Sequence, residues 1–503
     1  MGSEVLQALT EFLTWPTPLF IVIGVLLGTL FGFLPGLGGA QALALLTPVT
    51  YGMDVNQAIG MLVGVMGAVP FGGSISAILL KTPGTPQNAA STFDGFPLTQ
   101  QGKAGYALGA AGTASVLGAM LGVIVLLLLL PLGRQIVLAL SYPEYFMMAL
   151  MGISIIAVVS KGSVWKGMTA GVFGLLLSAV GFDPASGDLR YTFGTNYLYD
   201  GIKIVPALIG LFSISSALEM MLKGGASISS GKLENISSGM FQGVLSVFRN
   251  FGLFLRCSFL GTVIGVIPGV GGAVANFLAY GHAVQTTRDN PRFGSGDIRG
   301  VIAPESANNA KDGGAMIPTI IFGIPGSVET AILLGAFILH GIQPGPRMML
   351  DHSSVVYVII FSLVISNIIA GVVGIGGARY LAKLTEMPVS IVAPMIMALS
   401  LVGAYASEGH YYDVLMALVF GILGFFMNRF GFSAIPMVIA LVLGGMAQLT
   451  FHQTLMSRGF AGFFVRPISL GLFIVTLVMI IVPFVKSSRA AKKQAPEKEG
   501  ESL

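Results

Sequence analysis

The chain has 503 residues, 54% of them hydrophobic and only 10% charged, with a net charge of +4. Soluble domains carry about 25% charged residues, so the composition argues against a soluble enzyme, and a lipid bilayer is the expected surrounding, with no nucleic-acid partner. The single cysteine, Cys257, excludes an intrachain disulfide framework and a multi-cysteine metal site.

Residues 1–17 contain no basic side chain ahead of the first apolar run, so a short lead-in is expected there, not a cleaved signal peptide. Apolar spans are predicted at 18–34, 58–80, 105–131, 145–160, 167–182 and 202–222, then at 252–267, 317–339, 353–376, 389–405, 414–426, 432–449 and 467–485. Segments 105–131, 353–376 and 467–485 lack charged side chains and are long enough to cross a hydrocarbon core of about 30 Å. The total is roughly a dozen crossings, with interrupted ones open to a re-entrant reading. Loop 183–203 carries Tyr191, Phe193, Tyr197 and Tyr199, whereas the Ser/Gly-rich stretch 223–250 carries Lys223, Lys232 and Arg249. One span separates them, so the positive-inside rule places the basic stretch and the basic tail 486–503 in the cytoplasm and the aromatic loop outside.

The sequence repeats itself. Gly32-Phe-Leu-Pro-Gly-Leu-Gly-Gly-Ala40 returns as Gly265-Val-Ile-Pro-Gly-Val-Gly-Gly-Ala273, with six of nine positions identical. A second Pro-Gly follows each copy, at Pro83-Gly84 and at Pro325-Gly326. The predicted organisation is a first transmembrane repeat over 1–230, a polar linker at 223–250 and a second repeat over 231–485. Whether the repeats are inverted or parallel depends on the crossings in each half. Duplicated, interrupted membrane helices point to a transporter's binding site.

A Pro-Gly inside an apolar helix leaves backbone groups that hydrocarbon cannot satisfy. The first break reads Lys81-Thr82-Pro83-Gly84-Thr85-Pro86-Gln87-Asn88, and the second Ile324-Pro325-Gly326-Ser327-Val328-Glu329-Thr330. Helix restarts favour anions, so Gly84, Thr85, Asn88, Gly326 and Ser327 are candidate substrate ligands. The plainer reading is that the prolines kink helices and Thr85 and Ser327 cap them; duplication in matching order favours the site. Pro35, Gly36, Gly38, Gly39, Thr82 and Pro83, with Pro268, Gly269, Gly271, Gly272 and Pro325, are hairpin or ion-site candidates, because glycine lets backbone or ligand approach closely. Between the second pair of motifs lies Ala303-Pro-Glu-Ser-Ala-Asn-Asn-Ala-Lys-Asp-Gly-Gly314. Asn308 and Asn309 suit a ligand or a cation, and Glu305 and Asp312 a coupling ion or proton. A solvated loop, with Lys311 and Asp312 facing water, is the competing reading. Gly24, Gly28 and Gly32 are read as close-packing positions. Five scattered histidines, and no Walker loop, Gly-x-Ser-x-Gly elbow or His-Glu-x-x-His helix, leave no enzyme to propose and no cofactor to expect.

Pro35-Gly-Leu-Gly-Gly39, Gly73-Ser-Ile-Ser76 leading to Thr82-Pro-Gly-Thr-Pro86, Asp94-Gly-Phe-Pro97, Ile302-Ala-Pro-Glu-Ser-Ala-Asn-Asn309, Gly323-Ile-Pro-Gly-Ser327 and Gly341-Ile-Gln-Pro-Gly-Pro346 resemble the TctA family, the large membrane subunits of tripartite tricarboxylate transporters. The resemblance implies an all-α polytopic protein of the bacterial inner membrane, driven by a Na+ or H+ gradient. A periplasmic solute-binding protein would deliver a citrate-like di- or tricarboxylate, and a small four-helix membrane subunit would accompany the chain. An elevator-type movement is expected by analogy. Lys81 and Glu329 depart from the small or neutral residues expected; tuning of ligand charge and mutual pairing are the two readings. A passive channel or receptor-like module is the alternative function.

Overall fold

A computed structural model describes residues 2–34, 37–159, 164–183, 186–223, 238–268, 271–289, 292–384, 389–478 and 481. Pro35, Gly36, Gly269, residues 224–237 of the 223–250 stretch and the 486–503 tail lie outside these residues. In chain order the helices are α1 (Gly2–Leu13), α2 (Thr17–Phe33), α3 (Gly39–Leu46), α4 (Val55–Leu80), α5 (Thr92–Gln100), α6 (Ala104–Ala139), α7 (Tyr142–Val159) and α8 (Val164–Ser178). After a short hairpin of β1 (Gly181–Phe182) and β2 (Leu189–Arg190) come α9 (Ile204–Leu208), a π-helical turn at Ile209–Ile214, α10 (Ser215–Lys223), α11 (Met240–Arg249), α12 (Phe251–Val266), α13 (Gly271–Thr286), α14 (Arg299–Phe322) and α15 (Val328–Leu339). The last are α16 (Pro346–Asp351), α17 (Ser353–Leu384), α18 (Val389–Glu408), α19 (Tyr411–Arg429), α20 (Ala434–Arg458) and α21 (Gly462–Val465). The protein is an all-α polytopic membrane protein.

Seven described helices are long and apolar enough to cross a membrane, or nine if the bent pairs α1–α2 (71°) and α11–α12 (80°) each count as one span. That is fewer than the dozen expected from apolar runs. The predicted 317–339 span is broken at 323–327, and α14 falls outside this set although its residues from Gly300 to Ile321 are all buried. Its polar run is a buried helix, which corrects the solvated-loop reading of Lys311 and Asp312.

The helices form two compact units, Met1–Leu138 with Lys203–Phe426 and Ala139–Ile202 with Met427–Leu503. In the second, α20 packs on α7 and α8, and the buried Glu144 pairs with Arg466 at 2.7 Å. The aromatic loop also lies here, with Tyr191 64% and Phe193 85% exposed.

Both glycine turns and both Pro-Gly breaks belong to the first unit. Gly24, Gly28 and Gly32 of α2 face the backbone of α4: a Cβ on each would lie 2.1, 2.5 and 2.2 Å from the carbonyl oxygens of Met61, Val65 and Val69. Gly261 and Gly265 of α12 meet Ala307 and Lys311 of α14 the same way, at 2.5 and 2.2 Å. Conversely Gly72 of α4 meets Thr29 and Gly314 of α14 meets Thr262, each carbonyl oxygen 2.5 or 2.2 Å from an added Cβ. With no hydrophobic drive between helices in lipid, such backbone contact supplies the packing. Each long helix then ends in a left-handed residue, Lys81 (φ 58°) or Gly323 (φ 69°), the usual way to stop a helix. The chain folds back so that Gly84 lies on Gly73 and Gly326 on Ala315, where a Cβ would come within 2.8 and 2.6 Å of the underlying Cα.

Candidate functional site

The two breaks and the two glycine turns cross over. A Cβ on Gly39 would stand 2.9 Å from Cγ of Glu329, while one on Gly272 would stand 2.5 Å from Oε1 of Gln87 and 2.5 Å from Cε of Lys311. Thus the turn of the first repeat rests on the break of the second, and the reverse. At the crossing Gln87 Nε2 donates to Glu329 Oε1 at 2.9 Å. Gln87 and Glu329 each stand two residues beyond Thr85 and Ser327, and each is the third residue after its break's glycine, Gly84 or Gly326.

Behind this half-buried pair, Lys311 and Asp312 are each 1% exposed and joined at 2.5 Å. Glu329 acts on Lys311 through its charge. With every group ionised, one cation faces two carboxylates. Three buried acceptors, Gln87 Oε1, Asn276 Oδ1 and Asp312 Oδ2, have no hydrogen-bond partner, and Asn276 itself donates to the Gln87 carbonyl at 2.7 Å.

The two breaks restart differently. Ser327 caps α15, its Oγ accepting from the Thr330 amide at 3.2 Å, so one helix N-terminus opens at the crossing. Thr85 instead precedes a single 3-10 turn, Pro86–Ala89, and donates to Asn88 Oδ1 at 2.5 Å. Its methyl group faces Gly38, 3.7 Å from an added Cβ. Gly84 and Gly326 are consumed by backbone packing, and Thr82 bonds back to the Leu80 carbonyl at 3.2 Å. Pro268 and Pro325 are buried, Pro83 is half-buried, and Gly271 takes a left-handed φ of 74° with open space beside it. Lys81 does not pair with Glu329; it is exposed, with its ammonium 5.7 Å from the Phe96 ring centre.

Glu305 lies elsewhere, in a second buried cluster. It accepts from Ser74 at 2.7 Å, Ser115 at 3.0 Å and Ser91. Asn88 joins this cluster to the break, donating to Ser74 Oγ and to the Pro70 carbonyl, each at 2.8 Å. Asn308 is fully buried beside Glu305, neither Oδ1 nor Nδ2 making a hydrogen bond of good geometry. Asn309 turns to α17, donating to Asn367 Oδ1 at 2.6 Å. Asp94 binds no ligand group: it accepts from Tyr280 and from the amides of Gly294, Gly296 and Asp297 at 2.8–2.9 Å, tying down the loop before α14.

Gln87 and Ser74 stand inside quoted motifs without being singled out there, and Asn276, Ser91 and Ser115 lie outside them. Gln87 could have been found by aligning the breaks, which sets it opposite Glu329. Among the described residues, no group of three or more His, Cys, Asp or Glu could hold a metal ion.

Paired interrupted helices around a buried charged cluster define a membrane transport protein. Residues 19–439 match the tripartite tricarboxylate transporter TctA family, and the chain belongs to that family. It is 32% identical over 489 residues, 96% of each chain, to an "uncharacterized 52.8 kDa protein in TAR-I ttuC' 3'region" of Agrobacterium vitis. A second Agrobacterium vitis protein, "in TAR-II ttuC' 3'region", is 33% identical over 234 residues, 46% of this chain and 97% of that one. No solved structure matches. The chain is therefore a membrane component of a tripartite tricarboxylate transporter.

Proposed function

We propose that this chain takes up a citrate-like di- or tricarboxylate across the bacterial inner membrane by ion-coupled secondary transport. The observation that carries the reading is the crossing of both breaks and both glycine turns at Gln87, Glu329 and the buried Lys311. Lys311, the start of α15 at Ser327 and the Gln87 amide offer donors to a carboxylate, and Thr85 lines the approach.

The charge balance explains why an ion would be needed. At an effective dielectric of about 20, like charges about 4 Å apart repel by about 4 kcal/mol, roughly a thousandfold in affinity. A multivalent anion entering beside Asp312 and Glu329 therefore needs a cation with it. The unpartnered oxygens of Gln87, Asn276 and Asp312 are suited to such a cation, and Na+ or H+ would serve. Burial of Lys311 and Asp312 favours an enclosed site over a continuous pore.

In this reading a periplasmic binding protein docks on the exposed aromatics of loop 183–203, a small four-helix subunit completes the complex, and the 486–503 tail is cytoplasmic. The two glycine turns move with the bound ligand in an elevator-like step. The test is uptake of radiolabelled citrate by cells expressing the whole complex. Gln87→Ala and Ser327→Ala are expected to raise KM with unchanged membrane abundance; wild-type uptake by both variants would sink the assignment.

A further inference from the structure

We propose that Glu305 carries a proton during the transport cycle, in a site of its own on α14; this deepens the ion-coupled reading above and rests on it. Glu305 is fully buried, and its two carboxyl oxygens receive only neutral donors: Ser91 at Oε1, Ser74 and Ser115 at Oε2. A bare carboxylate in such a place is costly, so it takes up a proton or meets a cation. The three hydroxyls hydrogen-bond both oxygens directly, with no ion between them and the carboxyl. A proton fits.

Charged and titratable groups on the surrounding elements are committed elsewhere, except His282 of α13, whose Nε2 is buried without a hydrogen-bond partner. Between Val55 and Leu80, α4 has none, and α6 has Tyr106 and the distant Arg134. On α5, Asp94 is held by Tyr280 of α13 and three amides. On α12, Arg256 is exposed and bonds back to the Gly252 carbonyl, and Cys257 packs with Ala303 and Ala307. On α14 itself, Lys311 and Asp312 neutralise each other about 9 Å further along the axis.

Asn308 supplies the second observation. It is fully buried, its amide makes no hydrogen bond of good geometry yet lies close enough to act on the Glu305 carboxyl, and it follows Glu305 by three residues, on the same helix face. Protonated Glu305 gains an O–H donor, for which Asn308 Oδ1 is an acceptor; deprotonated, it can accept from Asn308 Nδ2. One amide thus serves both states. The step is a proton transfer alone: an O–H bond forms on Glu305 when the proton enters and breaks when it leaves to water on the other side. A hydrogen-bonded series, Glu305–Ser74–Asn88–Thr85, leads from this carboxyl to the crossing, so the protonation state can bias the first break.

The experiment uses proteoliposomes holding this chain with its small membrane partner, binding protein outside and a pH-sensitive dye inside, with radiolabelled citrate and other di- and tricarboxylates as probes. Proton entry and label entry are read together. Wild-type protein is expected to acidify the lumen as label enters, and Glu305→Gln to lose that acidification and the stimulation of uptake by an inward proton gradient. Infrared spectra should show a protonated-carboxyl band in the wild type that Glu305→Gln lacks. Label entry with no proton entry in the wild type overturns the proposal while leaving the transport reading standing, and needs no variant to fold. Unchanged proton entry in Glu305→Gln also overturns it. Absence of any label entry contradicts the transport reading itself.

Discussion

Gln87 and Glu329 occupy equivalent positions after the two Pro-Gly breaks and hydrogen-bond to each other at 2.9 Å. The contact joins the repeats where the glycine turns also cross. Glu329→Gln keeps the side chain's size and removes one of the two carboxylates facing Lys311. It should lessen the dependence of uptake on the coupling cation and shift KM on the order of tenfold, the scale of one charge-assisted hydrogen bond. Kinetics over a series of di- and tricarboxylates would measure this.

Gly39→Ala and Gly272→Ala should abolish uptake with little effect on membrane insertion, because the new Cβ intrudes on Glu329 in one case and on Gln87 and Lys311 in the other. Gly376→Ala, with nothing within 4 Å of an added Cβ, is the matched control and should transport normally. Uptake normalised to protein abundance separates these outcomes.

Lys311→Met leaves Asp312 buried without its partner and should destabilise the protein by about 3–5 kcal/mol, while replacing both charged residues with apolar ones should cost less. Unfolding of purified single and double variants in detergent would give the coupling between the pair.

Much of this arrangement could be read from the sequence. The repeated Pro-Gly-x-Gly-Gly turns and the later Pro-Gly breaks mark both glycine turns and both interruptions, because few other sequences permit such backbone in a membrane. Close packing of Gly24, Gly28 and Gly32 was equally visible in their spacing. What the sequence obscured was α14: Glu305, Asn308, Asn309, Lys311 and Asp312 make it too polar to resemble a membrane helix. Its burial depends on α4, α6, α12 and α13 closing around it, a tertiary effect no local pattern carries. Gly84 and Thr85 show the reverse, since residue types suited to a ligand are partly used in packing and in holding Asn88.

Asp94→Asn should loosen the loop before α14. The carboxylate accepts four donors, and an amide presents only one oxygen, so a loss of about 2–3 kcal/mol is expected. Faster hydrogen exchange at Gly294, Gly296 and Asp297 would report it.

The same loop should respond to acid. Burial pushes the Asp297 carboxyl up, but hydrogen bonds from the Arg299 side chain and from the Arg299 and Arg292 amides outweigh it and hold the group below its ordinary value. A depressed carboxylate adds stability above its unfolded value, and that stability is lost as pH falls through the folded one. The Tm difference between wild type and Arg299→Ala should therefore be largest near neutral pH and shrink in strong acid.

The central claim, that this chain drives a carboxylate uphill through the crossing of its two repeats, is tested most directly by accumulation of radiolabelled citrate and related carboxylates in proteoliposomes containing the chain, its small partner and external binding protein, under imposed Na+ or H+ gradients. Internal label rising above the external concentration, dependent on the binding protein and on one gradient, is the predicted result. Label that only equilibrates, with neither required, would contradict it and indicate a passive pathway.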